Sequence, residues 1–137
     1  MSDQAFVPPI ALTMGDAAGI GPELCAHLLT TEQKAPVVVY GDISAMQRAL
    51  ALIGKEADYQ LAPISHPLHY PRVMLAAHQI PIVQCGPPLP ADLPYGVIDQ
   101  RAGKMAYDAL SYAIQHAMEG HVRAIVTAPL HKDAMHQ

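Results

Sequence analysis

Apolar residues along the chain alternate between short continuous runs and runs at helical spacing. The first run, at 10–13, precedes a glycine-rich stretch at 14–23, and a helix is predicted over 24–29. A second run at 36–40 is rich in β-branched residues and is typical of a buried parallel strand. This order of strand, turn, helix and strand predicts an open, mostly parallel α/β sheet with flanking helices.

The pattern continues through a second helix. Asp42 follows the run at 36–40 and is a suitable N-cap residue. Apolar residues then recur at helical spacing over 43–53, and Gly54 ends the helix. A short strand is predicted over 59–62.

Residues 63–94 form a Pro-rich extended segment, because they hold more than half of the thirteen prolines. The prolines exclude a long helix. The strand-like run at 80–84 contains Pro81, which favours an edge position. His66 and His69 look like a metal-binding pair, but prolines around them remove the helical i,i+3 geometry. A surface loop is the favoured interpretation.

The strongest helical pattern covers 99–119, and Gly120 is its C-cap signal. A buried strand is predicted at 124–127, followed by a second turn and helix start. Two such turns at the ends of parallel strands can face one crevice. The apolar stripe of the helix consists of Ala102, Met105, Ala106, Ala109, Leu110, Ala113, Ile114, Ala117 and Met118.

The glycine-rich stretch is the first candidate site, since ligands bind at the carboxyl ends of strands and at helix N-termini. Gly21 is predicted as the N-cap, Pro22 as the first helical residue, and Glu23 as part of the first turn. Gly19 is predicted to need a backbone conformation that β-branched residues resist.

Known phosphate motifs do not fit this stretch. Leu24 stands where a dinucleotide fingerprint needs its third glycine, and no lysine follows as in a P-loop. The carboxylates of Asp16 and Glu23 suit hydroxyl, amine or cation contacts better than a bare phosphate. A tight strand-to-helix connection without a ligand is an equal alternative.

The second candidate site follows the strand at 124–127. Lys132 can bind a phosphate or carboxylate there, or transfer protons if desolvated, and Thr127 offers a hydroxyl at the same level. It is predicted to be the only cation beside either turn. The alternative is a solvated lysine beside a capping His131.

Four further histidines are predicted to be isolated structural or exposed side chains. Those at five-residue spacing do not share one helix face. They are His27, His116, His121 and His136.

Composition narrows the class of protein. The 137 residues fit one domain, with 51% hydrophobic residues and a net charge of −4. The charge gives no argument for nucleic acid or an anionic membrane, and no signal peptide or transmembrane run is visible. We therefore expect a cytoplasmic protein without nucleic-acid or membrane partners. Cys25 and Cys85 form neither a metal motif nor a disulfide framework.

The glycine-rich stretch carries a resemblance to a known family. Residues 15–23, GDAAGIGPE, are similar to the signature GDPAGIGPE of the 4-hydroxythreonine-4-phosphate dehydrogenase family. Residues 124–132 resemble the VTAP[LV][NH]K segment of that family, and residues 99–107 resemble a stretch that ends in AGxxAY. Ala17 departs from the usual proline, which loosens the turn slightly.

The resemblance implies oxidation of the secondary alcohol of 4-phosphohydroxy-L-threonine by NAD or NADP. Loss of CO₂ then gives 3-amino-2-oxopropyl phosphate for pyridoxal 5′-phosphate synthesis. It also implies a divalent metal (Zn, Mg or Co) bound by three histidines, a homodimer, and a fold like isocitrate and isopropylmalate dehydrogenases. The metal polarises the alcohol and then the ketone.

The residue patterns and the family resemblance together predict the site residues. Lys132 is predicted to be catalytic. Predicted substrate- or cofactor-binding residues are Gly15, Asp16, Gly19, Gly21, Glu23, Thr127 and His131. None of the eight histidines matches the metal ligands of the family, so no metal ligand is predicted within the chain.

The substrate motif GHTE of the family is expected shortly after Gln137. Residues 1–137 are therefore interpreted as the N-terminal α/β part of a larger two-domain enzyme, incomplete at its C-terminus and inactive alone. Two alternatives stay open. One is the same chemistry on threonate or erythronate 4-phosphate, and the other is a non-catalytic half-domain that retains a binding or dimerisation surface.

Overall fold

The computed structural model describes residues 7–31, 36–69 and 78–128. A five-stranded sheet, parallel at every pairing, has the order β3-β4-β2-β1-β5. The predicted α/β class with a parallel sheet is confirmed. The strands are β1 (Ile10–Thr13), β2 (Val37–Gly41), β3 (Gln60–Ile64), β4 (Gln79–Gln84) and β5 (Ala124–Thr127). The helices are α1 (Gly21–Leu29), α2 (Ile43–Leu52) and α3 (Gln100–Met118), with a 3₁₀ turn at Pro67–His69.

The strand order fixes the two helical layers. From β1 the chain moves across the sheet in one direction to β3, and then it reverses through β4 to β5. Right-handed crossovers therefore place α1 and α2 together on one face and α3 on the other. The contacts agree, because α1 packs on α2, whereas α3 packs on β1, β2 and β5. Among the described residues, no helix is both long and apolar enough to span a membrane.

The carboxyl ends of the strands lie in one row. Parallel pairing continues without a break across the sheet, so the loops after the strands leave from the same edge. Because β1 and β5 are neighbours, the glycine-rich turn and the residues after Thr127 start from adjacent strand ends. The row consists of Ile64, Val83, Tyr40, Thr13 and Thr127.

Asp42 caps α2, as predicted, and also closes the space between β2 and β4. Its Oδ2 accepts a hydrogen bond from the Ala45 amide at 2.8 Å. Its Oδ1 accepts from Gln84 Nε2 at 2.7 Å and from the Leu89 amide at 3.1 Å. The side chain is fully buried, so these bonds satisfy a carboxylate that burial would otherwise destabilise.

The α3 helix begins at Gln100, within one residue of the predicted start at Asp99. Asp99 is its N-cap and accepts hydrogen bonds from the amides of Arg101 and Ala102. The Arg101 side chain, hydrogen-bonded to the carboxylate, lowers the pKa of Asp99 to about 2. The positive φ of Gly120, +80°, ends the helix at the predicted residue.

The predicted edge position of the strand at 80–84 is wrong. Strand β4 lies inside the sheet, between β3 and β2. Pro81 is tolerated because it pairs with Ala62 of β3, whereas the ladder to β2 begins one residue later, at Ile82. Pro81 has no N–H group to donate, and at this position β4 pairs with β3 alone.

The prediction of a buried strand at 124–127 is also wrong. Strand β5 pairs with β1 alone and lies at the edge of the described sheet, so most of its residues are exposed.

The apolar stripe of α3 is buried only in part. Ala106 and Ala113 are buried, whereas Ile114 and Met118 are exposed, with 84% of Met118 accessible.

Candidate functional site

The turn between β1 and α1 leaves the sheet at Met14. The Met14 amide donates to the Tyr40 carbonyl at 2.9 Å and so adds one rung to the β1–β2 ladder. Gly15 then takes a φ of +77°, which turns the chain out of the strand. Asp16 holds the reversed chain, because its Oδ1 accepts from the Ala18 amide at 2.8 Å. Its carbonyl accepts from the Gly19 amide at 3.0 Å.

The steric constraint lies on Gly21 rather than on Gly19. A Cβ atom at Gly21 would overlap the carbonyl oxygen of Met14 and lie 3.4 Å from Gly15 Cα. A Cβ at Gly19 would meet nothing closer than the Asp16 carbonyl at 3.6 Å, and the φ of Gly19 is not positive. The expectation of a special conformation at Gly19 is therefore wrong.

The start of α1 differs by one residue from the prediction. The N-cap is Ile20, which makes no side-chain cap bond, and Gly21 is the first helical residue. Pro22 occupies the second position, where a missing N–H costs nothing. Glu23 lies in the first turn, as predicted, and is exposed.

Two amide groups of the turn make no hydrogen bond within the described part of the chain. The N–H groups of Asp16 and Ala17 form no hydrogen bond with any other residue that the structure describes. Both residues are buried, and both follow the left-handed Gly15. Successive free amides beside a left-handed residue form a concave anion-binding element of the backbone.

Arg48 of α2 also reaches the turn, which the sequence did not indicate. Its Nη1 donates to the Leu93 carbonyl at 2.6 Å, and its Nη2 approaches the Ala17 carbonyl at 3.4 Å. Its guanidinium also lies 3.9 Å from the centre of the Tyr95 ring. The prediction that Lys132 is the only cation beside either turn is therefore wrong. The pattern of α2 shows that Arg48 is on the helix but not which loop it meets.

Thr13 is a second residue that the sequence analysis missed. Its Oγ1 is buried and has no hydrogen-bond partner among the described residues. Thr13 pairs with Thr127, the last residue of β5, whose side chain is exposed. A hydroxyl at the end of an otherwise apolar strand is the signal that could have marked it, since buried polar groups are normally satisfied.

Residues 129–137 lie outside the described residues. The predicted roles of His131 and Lys132 therefore stay predictions. The described chain leads up to them at Ala128, whose amide donates to the Thr13 carbonyl at 3.1 Å.

A group of histidines forms beside α3. The His66 ring centre lies 4.6 Å from that of His116 and 4.7 Å from that of His121. The prediction that His116 and His121 are isolated is therefore wrong. Potential ligand atoms of His66, His116 and Glu119 lie within 4.8 Å of one another. His69 is not part of this group, although its ring centre is 6.4 Å from that of His66.

The histidine group is anchored to the sheet through Tyr40. The Tyr40 hydroxyl and His116 Nδ1 are 2.7 Å apart and buried. Burial raises the pKa of Tyr40, so its phenol stays protonated. Burial also lowers the pKa of His66 and of His116, and so favours the neutral imidazoles at neutral pH.

The model of a protein family described as "Pyridoxal phosphate biosynthetic protein PdxA" matches residues 32–137 of the chain. The chain belongs to the PdxA family. A D-threonate 4-phosphate dehydrogenase from Pectobacterium atrosepticum is 36% identical over 93% of this chain and 38% of that protein. A 4-hydroxythreonine-4-phosphate dehydrogenase from Trichlorobacter lovleyi is 32% identical over 95% of this chain and 38% of that protein.

Solved structures of the family have the same fold. The crystal structure of a 4-hydroxythreonine-4-phosphate dehydrogenase from Burkholderia phymatum superimposes with a TM-score of 0.84 at 31% identity. The match covers 96% of this chain and 39% of that one. The chain thus spans about two fifths of the length of these PdxA relatives.

The geometry of the turn predicts different costs for its glycines. Gly21→Ala should lower the free energy of unfolding by about 1–3 kcal/mol, because its methyl group overlaps the Met14 carbonyl and the turn must shift. The matched Gly19→Ala change should cost less than about 0.5 kcal/mol, since its methyl group meets only ordinary contacts. Urea unfolding of both variants is the measurement. A larger loss for Gly19→Ala would contradict the described turn.

Proposed function

We propose that this chain supplies the N-terminal part of an NAD- or NADP-dependent dehydrogenase. The substrate of the proposed reaction is 4-phosphohydroxy-L-threonine, which is oxidised and decarboxylated to 3-amino-2-oxopropyl phosphate in pyridoxal 5′-phosphate biosynthesis. The observation that carries the proposal is the PdxA match over residues 32–137. A homodimer in the cytoplasm is part of the same proposal.

The strand ends of β1 and β5 are where we place the ligand. The neighbouring space between β2 and β4 is filled, because Asp42 bonds to Gln84 and Leu89 there. At β1, by contrast, the Thr13 hydroxyl and the amides of Asp16 and Ala17 have no partner among the described residues. Three polar groups at one strand end favour a ligand rather than a plain connection.

In the proposed site each part of the turn has a separate role. The amides of Asp16 and Ala17 donate to an anionic oxygen of the substrate or the cofactor. The Asp16 carboxylate keeps Oδ1 on the Ala18 amide and offers Oδ2 to a hydroxyl or amine. Gly21 lets α1 begin against the end of β1, so its N-terminus faces the same space. Glu23 and Thr127 are both exposed, and we assign them to the rim of the proposed site.

A divalent metal, when bound, supplies Lewis-acid polarisation of the reacting alcohol. The described residues of the turn offer a carboxylate but no imidazole, and a catalytic zinc site needs three protein ligands. They therefore do not fit that metal. We place its ligands in the part of the longer protein beyond this chain.

D-threonate 4-phosphate is a second candidate substrate. The relative from Pectobacterium atrosepticum carries that name, and its identity to this chain is similar to that of the 4-hydroxythreonine-4-phosphate dehydrogenase relative. The two substrates differ at one position, where one carries an amino group and the other a hydroxyl.

Turnover by a protein of full family length that carries this chain tests the proposal. We expect reduction of NAD or NADP with 4-phosphohydroxy-L-threonine, at a kcat/KM higher than with D-threonate 4-phosphate. The reverse preference would select the second candidate. Absence of reduction with both substrates, in a folded and metal-loaded protein, would contradict the dehydrogenase assignment.

Lys132 is proposed to bind the phosphate or carboxylate of the substrate. It stands five residues after Thr127 in the sequence, and a lysine that follows the end of a parallel strand can bind such a group. Lys132→Met removes the charge and keeps most of the apolar stem. In the full-length protein we expect kcat/KM to fall about tenfold to a thousandfold, or ~1.5–4 kcal/mol, with little change in Tm.

Lys104→Met is the matched control for Lys132→Met. Lys104 is an exposed lysine of α3, paired with Asp108 at 3.0 Å, so its loss should leave the kinetics unchanged. Near-normal kinetics in Lys132→Met would place Lys132 on the solvated surface and leave the first turn as the functional element.

A further inference from the structure

We propose that His66, His116 and Glu119 form a transition-metal site on the α3 face of the sheet, for a divalent ion of the zinc class. The site is separate from the glycine-rich turn and does not rest on the proposed function. Its potential ligand atoms lie within 4.8 Å of one another. Two imidazoles and a carboxylate are a ligand set that Zn²⁺ accepts.

Metal binding requires the three potential ligand atoms to move closer together. Zinc–nitrogen bonds of roughly 2.0–2.1 Å in a tetrahedron place ligand atoms about 3.3–3.5 Å apart. Glu119 is exposed and His66 is half-buried, so both side chains can move toward a bound ion. His116 is buried and does not need to move if the others close on it.

Tyr40 supplies the hydrogen-bond acceptor that normally orients a metal-bound histidine. Metal-bound histidines usually donate their second ring N–H to a fixed oxygen, which orients the ring. The Tyr40 hydroxyl, 2.7 Å from His116 Nδ1, can accept that bond and leaves Nε2 for the ion. Tyr40 belongs to β2, so the central sheet positions this ligand.

His66 gives up one contact when it ligates. Its Nδ1 accepts a hydrogen bond from the Leu68 amide at 3.1 Å, in an exposed turn. An ion at Nδ1 replaces that donor, and an ion at Nε2 shifts the ring proton to Nδ1 and breaks the same bond. Because the turn is exposed, water can satisfy the Leu68 amide afterwards.

His121 lies beside this group, with its ring centre 4.7 Å from that of His66. Its Nδ1 has no hydrogen-bond partner among the described residues, although it lies 3.4 Å from Glu119 Oε1. A buried imidazole nitrogen without a partner is uncommon. An ion within reach of the His121 side chain would satisfy this atom. Sequence spacing could not indicate this arrangement, because His66 and His116 are fifty residues apart.

Titration of the 137-residue chain with Co²⁺ tests the site without an activity assay. We expect one equivalent to bind and to produce the visible absorption of four-coordinate cobalt, which Zn²⁺ then displaces. His66→Gln and Glu119→Gln change side chains with exposed surface and should weaken binding by at least about 100-fold. Tyr40→Phe keeps the ring but removes the hydroxyl, and it should weaken binding by about tenfold.

His27→Gln is the matched control, since it removes an exposed imidazole from α1, on the other face of the sheet. It should bind Co²⁺ like the parent chain. If His66→Gln and His27→Gln bind alike, or if the parent chain shows no four-coordinate spectrum, the proposal is wrong. A circular dichroism spectrum of each variant excludes loss of the fold as the cause of weakened binding.

Discussion

The carboxyl edge of the sheet depends on how closely α1 approaches the end of β1. Two glycines, Gly21 and Gly41, lie against Met14 and allow this approach. A Cβ at Gly21 would overlap the carbonyl oxygen of Met14, and a Cβ at Gly41 would lie 2.6 Å from the Cβ of Met14. Met14 is fully buried as a result. The packing fixes both the start of α1 and the backbone of Gly15, which leaves the strand with a positive φ.

The same edge divides into a filled part and an open part. Asp42 takes hydrogen bonds from a helix amide, a side chain and a loop amide, and so fills the end of β2. Arg48 fastens the loop that contains Leu93 against the glycine-rich turn. Within the described part of the chain, unsatisfied groups are left at β1, which is why we place the ligand of the proposed enzyme there rather than at β2.

Local patterns predicted most of the elements and several of their caps. The run at 10–13, the N-cap at Asp42, and the left-handed Gly54 and Gly120 depend on neighbours along the chain. The resemblance carried by the motifs also led to the family to which the chain belongs. Each of these signals is complete within a few residues.

The wrong predictions involve contacts between distant segments. Pro81 is compatible with an interior strand only because the β2 ladder begins at Ile82. Spacing cannot distinguish Gly19 from Gly21, since the difference comes from the position of the Met14 carbonyl. His66 and His116 meet because the segment after β3 and α3 are packed together, which no window of sequence shows.

In the proposed enzyme, the open end of strand β1 binds the ligand. Backbone amide NMR of a full-length protein, titrated with cofactor and then with 4-phosphohydroxy-L-threonine, tests it most directly. The largest shifts are predicted at the amides of Asp16 and Ala17, whose N–H groups have no partner among the described residues. Shifts confined to the filled region around Asp42 and Leu89, with Asp16 and Ala17 unchanged, would contradict the claim.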